Sequence, residues 1–195
     1  RLTVADILAD SKGVNILIRP FEPVMADVDF HLIDANRSIY SVKEQNLAFT
    51  QSISLDKNWK TILENNREYA ARVKLHLYKP EEFTIAYTRY FTARDSAAIT
   101  DVYADRTGVS ATIEGKSQVP LQGKVEFEVI KDGATVESAF KVAPSLMLEE
   151  EKTVEAMWTQ QLGAGKYEVK VKLLGNDGDV LDLYDKVIEV EPVIS

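Results

Sequence analysis

The residues with the widest choice of chemistry in this chain are its two histidines, His31 and His76, each fit to serve as general base, proton shuttle or metal ligand. His31 lies in "VDFHLID" (28–34) and His76 in "KLHLYK" (74–79), flanked on both sides by apolar residues. Where Phe30 and Leu32 point inward, strand alternation turns His31 outward, and Leu75 and Leu77 do the same for His76. If the strands holding 28–34 and 69–78 are sheet neighbours, both imidazoles share an outer face with Asp29, Lys74 and Tyr78. Those are the ingredients of a two-histidine, one-carboxylate metal site. A plain solvated sheet face competes with that reading and is the commoner use of such residues. The same face, with Ile33 and Tyr78 on it, is the better candidate for protein contact.

Other motifs fall short of a chemistry. "GAGK" (163–166) has the tail of a phosphate loop, but no glycine stands five positions before Gly165, and the surrounding pattern is strand. "GNDGD" (175–179) lacks the spaced oxygens and terminal glutamate of a calcium loop and reads as a hairpin turn. No serine sits in a nucleophile elbow and no paired-histidine metalloprotease motif occurs. With no cysteine, disulfides, thiolate nucleophiles and cysteine-based zinc sites are excluded. No catalytic, cofactor-binding or metal-binding residue is assigned, and no cofactor is expected. Asn36-Arg37-Ser38 is an N-glycosylation acceptor pattern on an expected hairpin turn.

The charge is acidic, −8 in 195 residues, and unevenly placed. Residues 1–92 balance at 12 basic and 12 acidic, so 93–195 hold 11 basic and 19 acidic residues and all of the excess. Such a surface repels phosphate backbones, and nucleic acid is not expected as a partner. Glu149-Glu150-Glu151 suits either a basic partner or a solubilising loop, the latter being the ordinary use. No apolar run approaches the roughly 18 residues of a membrane span, so no membrane insertion is expected within this segment.

The elements that position these residues come from a repeat. "DILADSKGV" (6–14) recurs as "DVYADRTGV" (101–109), an offset of 95, and "VDFHLIDANRSIYS" (28–41) aligns with "VEFEVIKDGATVES" (125–138) at 97. The two tryptophans, Trp59 and Trp158, stand 99 apart, and "YAARVKL" (69–75) matches "YEVKVKL" (167–173) at 98. Val125, Phe127 and Val129 alternate with Glu126 and Glu128, the period of a half-buried strand. "KDGA" (131–134), "LGAGK" (162–166) and "GNDGD" supply the turns. The expectation is all-β: two tandem immunoglobulin-like antiparallel β-sandwiches, copy one over 1–93 and copy two over 97–195, of six or seven strands each. "SISLDKNWKTILENN" also has helical spacing at Leu55, Trp59, Ile62 and Leu63, and the repeat decides for strand. "TARDSAA" (92–98) reads as a short linker that limits how far the copies separate.

The recurring residues read as scaffold. Tyr69 and Tyr167, opening the penultimate strand of each copy, suit a hydroxyl bonded back to the chain upstream. Trp59 and Trp158 suit the core, and Gly13 and Gly108 a positive-φ turn. The string "VEAMWTQQLGAGKYEVKVKLL" (154–174) resembles the end of the cell-adhesion-related and fibronectin-type-III-like repeats of prokaryotic surface proteins, archaeal ones among them. Leu162, Gly165, Tyr167, Val169 and Val171 carry the match, while "LENNREY" (63–69) of copy one departs from it in having no glycine. The resemblance implies an extracellular or cell-surface location and a non-catalytic spacer, adhesion or scaffold role with a protein or cell-surface partner. It transfers no catalytic residue, and the chain is not expected to be an enzyme. The alternative is a carbohydrate- or ligand-binding accessory module attached to an enzyme, with Tyr78, Phe83, Tyr87 and Tyr90 as its aromatic platform. A hydrolase with a dispersed active site ranks below both.

Overall fold

The structure is a computed structural model and describes residues 2–194. Turn residues cut the chain into short runs, and two units result, Arg1–Arg94 and Asp95–Ser195. The first holds β1 (Leu2–Ala9), β2 (Gly13–Pro20), β3 (Val24–Asp34), β4 (Arg37–Phe49), β5 (Ile53–Asn58), β6 (Glu68–Lys79) and β7 (Phe83–Thr92). The second holds β8 (Ala97–Ala104), β9 (Gly108–Gly115), β10 (Lys124–Lys131), β11 (Ala134–Val142), β12 (Glu151–Met157), β13 (Gly165–Leu174) and β14 (Val180–Val190). No helix occurs among the described residues.

Each unit is an immunoglobulin-like sandwich of a three-stranded and a four-stranded antiparallel sheet. The orders are β1-β2-β5 with β4-β3-β6-β7, and β8-β9-β12 with β11-β10-β13-β14. The fourth strand of each unit pairs with the third, whereas constant-type immunoglobulin domains place it on the other sheet. Alternation sets the core. In β3, Val28, Phe30 and Leu32 are buried between half-exposed Asp29, His31 and Ile33, and Val125, Phe127 and Val129 do the same in β10. Both central hairpins turn through two positive-φ residues, Ala35 (47°) with Asn36 (67°) and Asp132 (52°) with Gly133 (80°). That is the type I′ geometry whose twist matches the flanking strands.

The repeated "AD..GV" motif is a lock, built identically twice. Asp10 Oδ1 accepts the N–H groups of Lys12 (2.8 Å) and Gly13 (3.2 Å), and Asp105 Oδ1 those of Thr107 (2.8 Å) and Gly108 (3.1 Å). These aspartate turns tighten the first hairpin of each unit. The tryptophan then closes it: Trp59 Nε1 donates to the Asp10 carbonyl (2.8 Å) and Trp158 Nε1 to that of Asp105 (3.0 Å). A buried indole needs such an acceptor for its one polar atom. Both rings are buried, Trp59 fully and Trp158 at 7% exposure. Phe91 stacks on Trp59 with ring centroids 6.3 Å apart.

Two expectations need correction. Neither Gly13 nor Gly108 has positive φ; among the glycines that conformation belongs to Gly133, Gly165 and Gly178. Their requirement is close approach instead, since a Cβ on Gly13 would lie 2.0 Å from the Lys57 carbonyl oxygen and one on Gly108 2.4 Å from that of Ala156. The strand in "SISLDKNWKTILENN" stops at Asn58, so Trp59 and Leu63 reach the core from the loop that follows, while Ile62 is exposed.

The tyrosines close the opposite corner. Tyr69 Oη accepts the Glu64 N–H (2.9 Å), and Tyr167 Oη donates to the Gly163 carbonyl (2.8 Å). Ahead of this corner copy one has Asn66 at φ 67°, a side chain that tolerates the left-handed region, while Gly165 (φ 145°) of copy two stands where copy one has Arg67.

Candidate functional site

β3 and β6 are neighbours, and His31 and His76 do lie on one outer face of the first unit. They are not brought together. His31 stands opposite Arg72 and His76 opposite Asp27, with the Asp29–Lys74 pair between them. Four residues along β3 separate the two rows, about 13 Å. Each ring has its own partners: His31 Nδ1 lies 2.9 Å from Ser38 Oγ, and His76 Nδ1 lies 2.9 Å from Thr84 Oγ1, with His76 Nε2 3.5 Å from Glu82. Among the described residues no three His, Asp or Glu side chains are grouped to hold a metal ion. Partial burial holds the His31 pKa below its ordinary 6.5, and Lys74 and Arg72 push the same way against the pull of Asp29.

The four aromatic residues of the expected platform divide between two faces. Phe83 and Tyr87 stand opposite inward-facing Leu77 and Val73. Tyr90 points outward opposite Ala70, at the far end of β7 from Tyr78, whose hydroxyl donates to Asn46 Oδ1 (2.9 Å). No shared stacking surface results. Asn36 is exposed at the tip of the β3–β4 turn. Gly165 is the first residue of β13, and in "GNDGD" the Asn176 side chain accepts from Gln122 N (2.6 Å) and donates to the Pro120 carbonyl (3.2 Å). The glutamates 149–151 are exposed, and Glu150 Oε1 accepts the Met147 N–H (2.9 Å).

On the corresponding outer face of the second unit, Glu126 and Glu128 of β10 stand opposite Lys172 and Lys170 of β13. Phe140 (68% exposed) and Leu183 flank this charged strip on the edge strands β11 and β14. Lys124 Nζ lies over the Phe140 ring, 5.6 Å from its centroid. Around the edge, between β11 and β12, a groove of about 960 Å³ is lined by Phe140, Lys141, Ala156 and Met157 among others. Met157 is 79% exposed. No sequence motif marks this groove. The signal was available in the repeat, at positions where the copies differ: Lys57 aligns with Ala156 and Glu44 with Lys141.

No family model matches the chain, and no curated protein matches it. Among solved structures it is similar to the transglutaminase of red sea bream, at 11% identity and a TM-score of 0.34 over 99% of this chain and 32% of that one. It is similar also to the fibronectin(III)-like modules of Clostridium thermocellum CbhA, at 15% identity and a TM-score of 0.31 over 98% of this chain and 95% of that one. A DUF4785 family protein of Legionella pneumophila matches at 10% identity and a TM-score of 0.39, over 96% of this chain and 55% of that one. At these scores the likenesses add nothing to the fold already read from strand order.

Proposed function

We propose that this segment is a non-catalytic structural and protein-interaction module of a larger cell-surface protein, acting as a spacer or scaffold that presents its sheet surfaces to a partner. One observation carries the reading. The side chains that recur between the copies and are capable of chemistry or stacking, Asp10/Asp105, Trp59/Trp158 and Tyr69/Tyr167, are each spent on holding a sandwich closed. What the duplication kept is scaffold, and the outer faces differ between the units. A rigid sandwich with variable outer surfaces is suited to display.

The test is topological. An antibody raised against residues 2–194 labels intact source cells, and mild protease treatment of those cells removes the epitope. Labelling obtained only after lysis contradicts the proposal.

A further inference from the structure

In the first unit an ion pair, Lys57 of β5 to Glu44 of β4, bridges the edges of the two sheets. Strand register identifies the equivalents in the second unit. Lys57 pairs with Val14, as Ala156 pairs with Val109; Glu44 pairs with Val28, as Lys141 pairs with Val125. Both halves of the bridge are therefore changed, one to a methyl group and the other to the opposite charge. The second unit's groove stands open, and the Lys141 side chain on its edge strand has no hydrogen bond or ion pair among the described residues.

β11 itself supplies the missing carboxylate, in another molecule. Its sequence from Val136 to Val142, "VESAFKV", is self-complementary about Ala139. When two such strands run antiparallel with Ala139 opposite Ala139, Glu137 faces the partner's Lys141 and Lys141 the partner's Glu137. Ser138 then faces Phe140, and Val136 faces Val142. The small central alanine lets the strands approach, and the two exposed Phe140 rings become diagonal neighbours on the outer face. β11 is the terminal strand of its sheet, so its outer backbone edge is available for pairing.

We propose that β11 is a homophilic edge: two copies of this chain associate through an isologous, antiparallel β11–β11 pairing held by two symmetry-related Glu137–Lys141 pairs. The inference rests on the interaction reading above and names its partner. An edge-strand lysine rejects strands that do not place an acid opposite it, which makes the contact selective. An interface of one strand pair falls in the weak, transient class below about 1,200 Å². It gains strength from multivalency where many copies are displayed together.

Sedimentation equilibrium on residues 1–195 tests this with a charge exchange. The wild type shows a monomer–dimer equilibrium. Lys141→Glu and Glu137→Lys, each placing like charges opposite one another twice, each weaken it by about tenfold or more. An equimolar mixture of the two variants recovers wild-type association, because each strand then meets its complement. Glu137 also accepts the Thr159 N–H and hydroxyl (2.6 and 2.8 Å), so Lys141→Glu, which disturbs no such bond, is the primary variant. A wild type that stays monomeric at the highest concentration reached overturns the proposal while leaving the cell-surface reading intact. So does a dimer unchanged by Lys141→Glu, or a mixture of folded variants that fails to associate.

Discussion

At the scale of single residues, the chemistry-bearing side chains are mostly structural, and their partners make that testable. Tyr69 and Tyr167 occupy equivalent corners, yet one hydroxyl accepts from an N–H and the other donates to a carbonyl. Tyr→Phe at either site costs about 1 kcal/mol, the usual net worth of one hydrogen bond. Tyr69→Phe costs the more, because an orphaned N–H is tolerated less readily than an under-satisfied carbonyl. Denaturant unfolding of the two variants checks the order. His31 gives a second test. Its folded pKa lies below 6.5, so the native state binds that proton less readily than the unfolded chain. His31 therefore contributes stability above 6.5 that is lost as pH falls from there through the folded pKa. Its NMR titration midpoint lies below 6.5 and rises in Lys74→Gln; a wild-type midpoint at or above 6.5 contradicts the assignment. The corner tyrosines and the outward turn of both histidines were legible in the sequence, because strand parity and position determine them. The spacing between the histidines was not, since it depends on strand register, which no local pattern reveals.

At the scale of elements, the first hairpin of each unit is fastened to the fifth strand by a glycine that lets two backbones touch. Gly13→Ala would place its Cβ 2.0 Å from a carbonyl oxygen, and Gly108→Ala 2.4 Å from one. Both substitutions destabilise, on the order of 1–3 kcal/mol, by forcing backbone apart in a packed sandwich. Gly13 is the worse site, and thermal unfolding of the pair ranks them. From sequence alone these glycines suggested positive φ, the commonest reason for a glycine beside a turn. Close approach depends on a strand more than forty residues away, which is why local reading missed it. At "SISLDKNWKTILENN" the second copy's cleaner alternation pointed to strand over helix, which holds for Ile53–Asn58 and fails beyond it, where Trp59 and Leu63 enter the core from a loop. The open groove beside β11 is legible only as a difference between copies, at Ala156 and Lys141, where the repeat has no match.

At the scale of the whole molecule, the repeat revealed the architecture because the two copies share turn and core positions across the entire chain. Each unit is a sandwich with its own core, its own aspartate turn, its own tyrosine corner and one tryptophan. That last feature makes emission a private reporter for each unit. The most direct measurement is denaturant unfolding of residues 1–94 and 95–195 as separate polypeptides, followed by Trp59 and Trp158 fluorescence. Both are predicted to start with the blue-shifted emission of an indole buried against a backbone carbonyl and to shift red in a single cooperative step. Water-exposed emission without denaturant from either polypeptide, or a gradual drift in place of a transition, would contradict the claim that the repeated residues close each sandwich from within.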